Sequence, residues 1–79
     1  MSYRITLNQP IPINTTEEKL DTMRIKIFDY GSAKFFSYEN KYFELQEDPQ
    51  NNIVGLTIHG NSVADFKSLM LLKDKIFVD

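Results

Sequence analysis

The chain has no cysteine and no tryptophan, one histidine and three scattered glycines among its 79 residues. Without cysteine it can form neither a disulfide nor a thiolate zinc site. A lone histidine, His59, without a partner at metal-ligand spacing predicts no metal site. Because the glycines never cluster, the sequence also lacks a phosphate-binding or dinucleotide-binding loop, and we expect no cofactor.

An excess of basic charge and long apolar runs are missing as well. Nine lysines and arginines face eleven aspartates and glutamates, a net charge of -2. Nucleic acid is therefore not the expected partner, since a basic surface normally provides that affinity. No apolar run approaches the roughly 20 residues that cross a membrane. Residues 3–7 alternate apolar and polar instead of forming a signal core, which together with the missing cysteines favours a cytoplasmic protein.

The sequence offers little for catalysis by this chain alone. No nucleophile motif accompanies His59, and the carboxylates are dispersed, with Glu47 and Asp48 bordering a turn. We therefore predict a protein that is not an enzyme and has no catalytic residues. The weakest of three functional hypotheses is a site completed in an oligomer, with His59 and Glu44 near a shared interface.

The length predicts one domain over residues 1–79. Its first element is a half-buried strand, because residues 3–7 place apolar side chains on one side only. We expect Pro10 and Pro12 to end this strand, since proline cannot donate to a sheet ladder.

A helix is predicted next, over residues 15–30. Asn14 or Thr15 is a suitable N-cap, apolar residues follow at helical spacing, and Gly31 is well placed to stop the helix. A second interpretation stays open, because residues 23–28 also alternate apolar and polar. They could form a strand after a shorter helix.

Three β-rich runs form the clearest part of the sequence: residues 34–38, 41–46 and 53–59. Glu39-Asn40 separates the first two, and turn-forming residues 48–51 separate the second and third. We predict an antiparallel meander over about residues 34–59.

The loop lengths predict the register of this meander. A two-residue loop pairs Phe36 with Phe43, and a four-residue loop pairs Leu45 with Val54 and Phe43 with Leu56. Both choices bring the same apolar set to one face. That set comprises Phe36, Tyr38, Phe43, Leu45, Val54, Leu56 and Ile58.

A second helix is predicted from a cap formed by Ser62 and Asp65 to about Ile76. Alternatively, the helix ends near Leu72 and residues 75–78 form an edge strand. The predicted buried stripe is Val63, Phe66, Leu69, Met70, Leu72, Ile76 and Phe77. The predicted architecture is α+β, in the order β-α-β-β-β-α, with the antiparallel sheet packed against one or two helices.

Apolar side chains that this core does not need suggest a contact surface. Most of them project from the opposite face of the meander, and Leu71 lies on the outer side of the second helix. The predicted partner-binding residues are Phe35, Tyr42, Glu44, Ile53, Thr57 and Leu71. Three alternatives stay open for these residues, because the first helix could cover them, isolated apolar residues are often exposed, and the register could be wrong.

These residues favour a protein-binding module, a small regulator or inhibitor that occupies the surface of a partner protein. The partner could also be a second copy of the chain, in a homodimer. The composition is also typical of phage and mobile-element accessory proteins that act on a host enzyme or defence complex. The second hypothesis is a single-stranded nucleic-acid-binding domain, in which Phe35 and Tyr42 stack on bases beside Lys34 and Lys41.

Overall fold

Within residues 1–77, which the computed structural model describes, the chain forms one five-stranded antiparallel sheet and two helices. The predicted α+β architecture is confirmed, with one strand more than expected. The elements are β1 (Tyr3–Pro12), α1 (Ile13–Thr22), β2 (Ile27–Tyr30), β3 (Ala33–Tyr38), β4 (Lys41–Glu47), β5 (Asn52–Ile58) and α2 (Val63–Ile76).

The strands lie in the order β1-β5-β4-β3-β2. Strands β2 to β5 therefore form a meander, and β1 pairs with its far edge. Both helices pack on one face of the sheet, where Leu20 of α1 and Leu72 of α2 join a buried cluster with Phe36, Phe43 and Leu56. Neither helix covers the other face. In residues 1–77, no helix is long and apolar enough to span a membrane.

The first helix is shorter than predicted, and the open alternative of a short helix followed by a strand is correct in outline. Arg24 adopts a positive φ of 60°. Its N–H donates to the carbonyl of Asp21 at 3.0 Å, and the N–H of Ile25 donates to that of Leu20 at 2.8 Å. These two bonds form a helix-terminating Schellman motif, and β2 follows where the longer helix was expected.

The predicted start of α1 and the predicted end of β1 are also wrong. Neither Asn14 nor Thr15 is the N-cap; Pro12 takes that position, with no side-chain cap. Strand β1 continues through Pro10 to Pro12. Since β1 is an edge strand, its prolines remove no hydrogen bond from the sheet interior. The pairing with β5 shifts register between Thr6 and Ile11.

The register of the first hairpin is confirmed, with Phe36 opposite Phe43 and Tyr38 opposite Lys41. Glu39 and Asn40 both have positive φ, as a two-residue type I′ hairpin turn requires.

The register of the second hairpin differs from the prediction. Leu45 pairs with Leu56 instead of Val54, and Phe43 pairs with Ile58 instead of Leu56, because an irregularity interrupts the ladder between Gln46 and Glu47. The two-residue displacement keeps Leu56 and Ile58 on the core face. Val54 leaves the buried core at this bulge.

The cap of α2 is confirmed: Ser62 Oγ accepts from the N–H of Asp65 at 3.1 Å, and the Asp65 carboxylate accepts from the N–H of Ser62 at 3.2 Å. The helix runs to Ile76 as expected, so the alternative strand is wrong at residues 75–76, while residue 78 lies outside the described residues. The predicted stripe is wrong at its start, because Val63 and Phe66 are exposed. Its later members Leu69, Leu72, Ile76 and Phe77 are buried.

Candidate binding site on the open face of the sheet

The sheet face opposite the helices carries a concave cluster of side chains, here called the aromatic cup. It forms a wide depression of about 620 Å³ that is open to solvent. Cross-strand pairing explains the assembly, because directly opposite residues project to the same face. The lining residues come from β2, β3, β4 and the position after β5. They are Phe28, Tyr30, Phe35, Ser37, Tyr42 and His59.

Four aromatic rings give the cup its shape. Phe28 and Phe35 are direct cross-strand partners whose rings are nearly parallel, 19° apart, with centroids at 6.0 Å. Tyr42 stands at 84° to Phe28, and Tyr30 stands at 87° to Phe35, each with centroids 6.2 Å apart. Two near-parallel rings are thus flanked by two roughly perpendicular ones.

The rings of the cup are much more exposed to solvent than the rings of the core. Tyr30 is 76% exposed, Tyr42 58% and Phe28 39%, whereas Phe36 and Phe43 on the other face are completely buried. The first helix does not cover this face, since α1 belongs to the opposite layer. The cup is therefore an exposed aromatic patch beside an independent core.

A hydrogen-bonded histidine and carboxylate lie at the edge of the cup. His59 Nε2 is 2.8 Å from Oε1 of Glu44, and the His59 ring is centred 5.6 Å from that of Phe35. An ionised carboxylate only accepts, so Nε2 of His59 is the donor in this contact. The edge of the cup thus presents a carboxylate whose oxygens can accept further hydrogen bonds.

The structure brings together three of the six predicted site residues. Phe35 and Tyr42 line the cup. Glu44 lies opposite Phe35 in the ladder and reaches the cup through His59. Thr57 is opposite Glu44 on the same face, but its side chain is almost wholly buried and its hydroxyl donates to Oε1 of Gln46 at 2.9 Å. We therefore assign Thr57 a structural role in the sheet.

The remaining two predicted residues lie elsewhere. Ile53 is completely buried in the core, because the irregularity in β4–β5 pairing turns it inward. Its assignment to the open face was wrong. Leu71 is exposed on α2, where it borders a small depression with Tyr38 and Lys75. It is thus separated from the cup by the sheet.

Sequence reasoning missed Phe28, Tyr30 and the role of His59. The two aromatics fell within the predicted helix, and His59 was named beside Glu44 only in the weakest hypothesis, a site completed in an oligomer. The alternation of residues 23–28 was the signal that could have found Phe28. Nothing local to His59 indicated its contact with Glu44, which is fifteen positions away in the chain.

The lysines expected beside the aromatics lie on the helical side of the sheet. Lys34 contacts Asp29 at 3.0 Å, and this hydrogen bond raises the pKa of the Lys34 ammonium. Lys41 contacts Asp65 at 3.4 Å and donates to Ser68 at 3.0 Å. Neither cation is available to a ligand in the cup.

A second depression, of about 270 Å³, lies between α1 and β2 and is lined mainly by charged residues. Four of its five charged residues form ordinary ion pairs, Lys26 with Asp21 at 3.4 Å and Lys34 with Asp29, and Glu17 is the fifth. No group of three potential metal ligands occurs among residues 1–77. We therefore place the candidate site at the cup.

Comparisons of the chain with protein-family models, curated proteins and solved structures found no match.

Proposed function

We propose that this chain is a non-catalytic protein-binding module, a small regulator or inhibitor that docks a partner protein on the aromatic cup. The observation that carries the proposal is the cluster of four rings on the face that the helices leave uncovered. Phenylalanine and tyrosine are efficient interface anchors, because they bury a large area while few torsions are immobilised.

The structure of the core supports the same proposal. The buried cluster is complete on the helical side, where Phe36 and Phe43 stack with centroids 5.2 Å apart. The rings of the cup thus lie outside the main packing. An exposed apolar patch outside the core lowers solubility, and a binding role explains its presence.

The distribution of charge favours a protein over single-stranded nucleic acid. A nucleic-acid platform combines stacking rings with cations that follow the phosphates. Here Lys34 and Lys41 lie on the helical side and contact carboxylates. The cup itself is bordered by the carboxylate of Glu44, which repels phosphate.

Affinity capture from the native host tests the proposal, followed by binding measurements with the purified partner. Wild type is compared with Phe35→Ala/Tyr42→Ala and with a matched control, Val63→Ala/Leu71→Ala, which removes exposed apolar side chains on the helical side. Circular dichroism first verifies that each variant is folded at the assay temperature, and the milder pair Phe35→Leu/Tyr42→Leu replaces the alanine pair if that pair is not. Two lost hot-spot anchors are expected to weaken binding by about a hundredfold or more. The control should bind like wild type.

Three results contradict the proposal. They are unchanged affinity of the cup variant, loss of binding by the control variant alone, and tight binding of an oligonucleotide that requires Phe35 and Tyr42. Mass measurement in solution accompanies the assay. A stable dimer that the cup variant dissociates into monomers would identify a second copy, rather than another protein, as the occupant.

A further inference from the structure

We infer that the aromatic cup receives an arginine side chain of the partner protein. This inference deepens the proposed function and rests on it. It follows from the juxtaposition of four aromatic rings with the hydrogen-bonded pair Glu44–His59 at the edge of the same concavity.

The rings of the cup favour a flat cation. The face of an aromatic ring carries negative potential and attracts cations. The near-parallel pair Phe28–Phe35 is flanked by Tyr30 and Tyr42 at 87° and 84°, so the walls meet at nearly right angles. A flat cation can stack on one wall while its edge meets another. The guanidinium group is planar and stacks in this way, unlike the compact ammonium of lysine.

The polar edge of the cup favours a ligand with several hydrogen-bond donors. The carboxylate of Glu44 accepts one hydrogen bond from His59 through Oε1. A carboxylate has two oxygens and room for further donors, and a guanidinium offers five N–H groups. An incoming apolar group would leave the carboxylate of Glu44 without the donors that water supplies, whereas arginine can satisfy it.

The lining of the cup holds no cation that would compete with an incoming arginine. Among the described residues that line it, none is a lysine or an arginine. The chain's own Arg4 lies on this face opposite Thr57, which itself lies opposite Glu44. Two strand spacings, or about 10 Å, therefore separate the backbones of Arg4 and Glu44. The cup thus offers ring faces and a carboxylate but no built-in cation.

Selection of random peptides displayed on phage against the whole immobilised chain tests this inference. We expect peptides that bind wild type but not Phe35→Ala/Tyr42→Ala to share one arginine position, enriched at least about fivefold over the starting library, with apolar neighbours. Replacement of that arginine by citrulline, its neutral isostere, should weaken binding about tenfold, as expected for a desolvated cation over aromatic rings.

The variant Glu44→Gln should weaken the arginine peptide about fivefold and leave the citrulline peptide unaffected. Glu18→Gln makes the same charge change on the exposed surface of α1 and should alter neither affinity. Equal affinities for arginine and citrulline peptides, an apolar or acidic consensus, or the absence of any cup-dependent peptide would each overturn the inference. A captured partner that needs Phe35 and Tyr42 but none of its own arginines would leave the proposed function standing and overturn only this inference.

Discussion

Replacement of Phe36 and of its neighbour Phe35 by alanine tests which face of β3 belongs to the core. Phe36 is completely buried and stacks on Phe43, so its truncation leaves a cavity and removes a ring contact. We expect a loss of about 3–5 kcal/mol in the free energy of unfolding. Phe35 is half-buried on an open face, where neighbouring rings can settle inward. The expected loss there is about 1–2 kcal/mol.

Urea unfolding followed by circular dichroism measures the difference. With a slope of about 1 kcal/mol per molar urea, Phe35→Ala should shift the midpoint by about 1–2 M. Phe36→Ala removes most of the stability of a 79-residue domain, and it is expected to be largely unfolded without denaturant. Leucine at each position preserves a measurable transition, with expected losses of about 1–2 kcal/mol at Phe36 and about 0.5 kcal/mol at Phe35.

An equal or larger loss at Phe35 would refute the assigned faces. A one-residue slip of β3 exchanges its two faces, and the aromatic cup would then be the core. Variants on the neighbouring strand β4 give an internal check. Tyr42→Ala should lose about as much free energy of unfolding as Phe35→Ala, and Phe43→Ala about as much as Phe36→Ala.

Two further predictions concern the helix ends. Arg24→Gly should raise the free energy of unfolding by about 0.5–1 kcal/mol, because glycine adopts the positive φ at this position without steric cost; an unchanged or lower thermal midpoint would contradict this. The pKa of the Asp65 carboxyl is lowered by hydrogen bonds with Ser62, first with its backbone N–H and then with its side chain. The ionised carboxylate therefore stabilises the fold fully above the ordinary aspartate pKa. This stabilisation is lost as the pH falls through the lower pKa of Asp65 in the folded state. Asp65→Asn should therefore flatten the loss of stability below about pH 4 in urea titrations, and an acid limb as steep as that of wild type would contradict the assignment.

The meander was predictable because its local signals agree with one another. Glu39 and Asn40 tolerate positive φ, and a two-residue loop leaves only one register that buries Phe36 against Phe43. The second turn, at residues 48–51, was compatible with more than one register. Since Ile53 and Val54 are adjacent and both apolar, the pattern alone could not show that the ladder irregularity turns Ile53 inward.

The end of α1 was not predictable from the usual stop signal. Gly31 extended the predicted helix to residue 30, whereas the helix ends at Thr22. The positive-φ residue that stops it is Arg24, seven positions before Gly31. Tertiary packing explains the difference, because Ile25 and Leu20 are both buried around the closing bonds. This error concealed β2, and with it Phe28 and Tyr30. Half of the cup's aromatic rings were therefore missing from the predicted site, while Phe35 and Tyr42 were placed correctly.

The prolines of β1 bear on how this protein avoids indiscriminate pairing with other chains. A sheet edge presents unpaired N–H and C=O groups to which a foreign strand can add. At one edge, Pro10 and Pro12 remove donors from the second half of β1, and at the other edge β2 is only four residues long. Both edges are thus poor templates for β-aggregation. The exposed aromatics on the open face therefore carry less risk of aggregation, because the backbone at the sheet edges presents few free groups to an amyloid-like ladder.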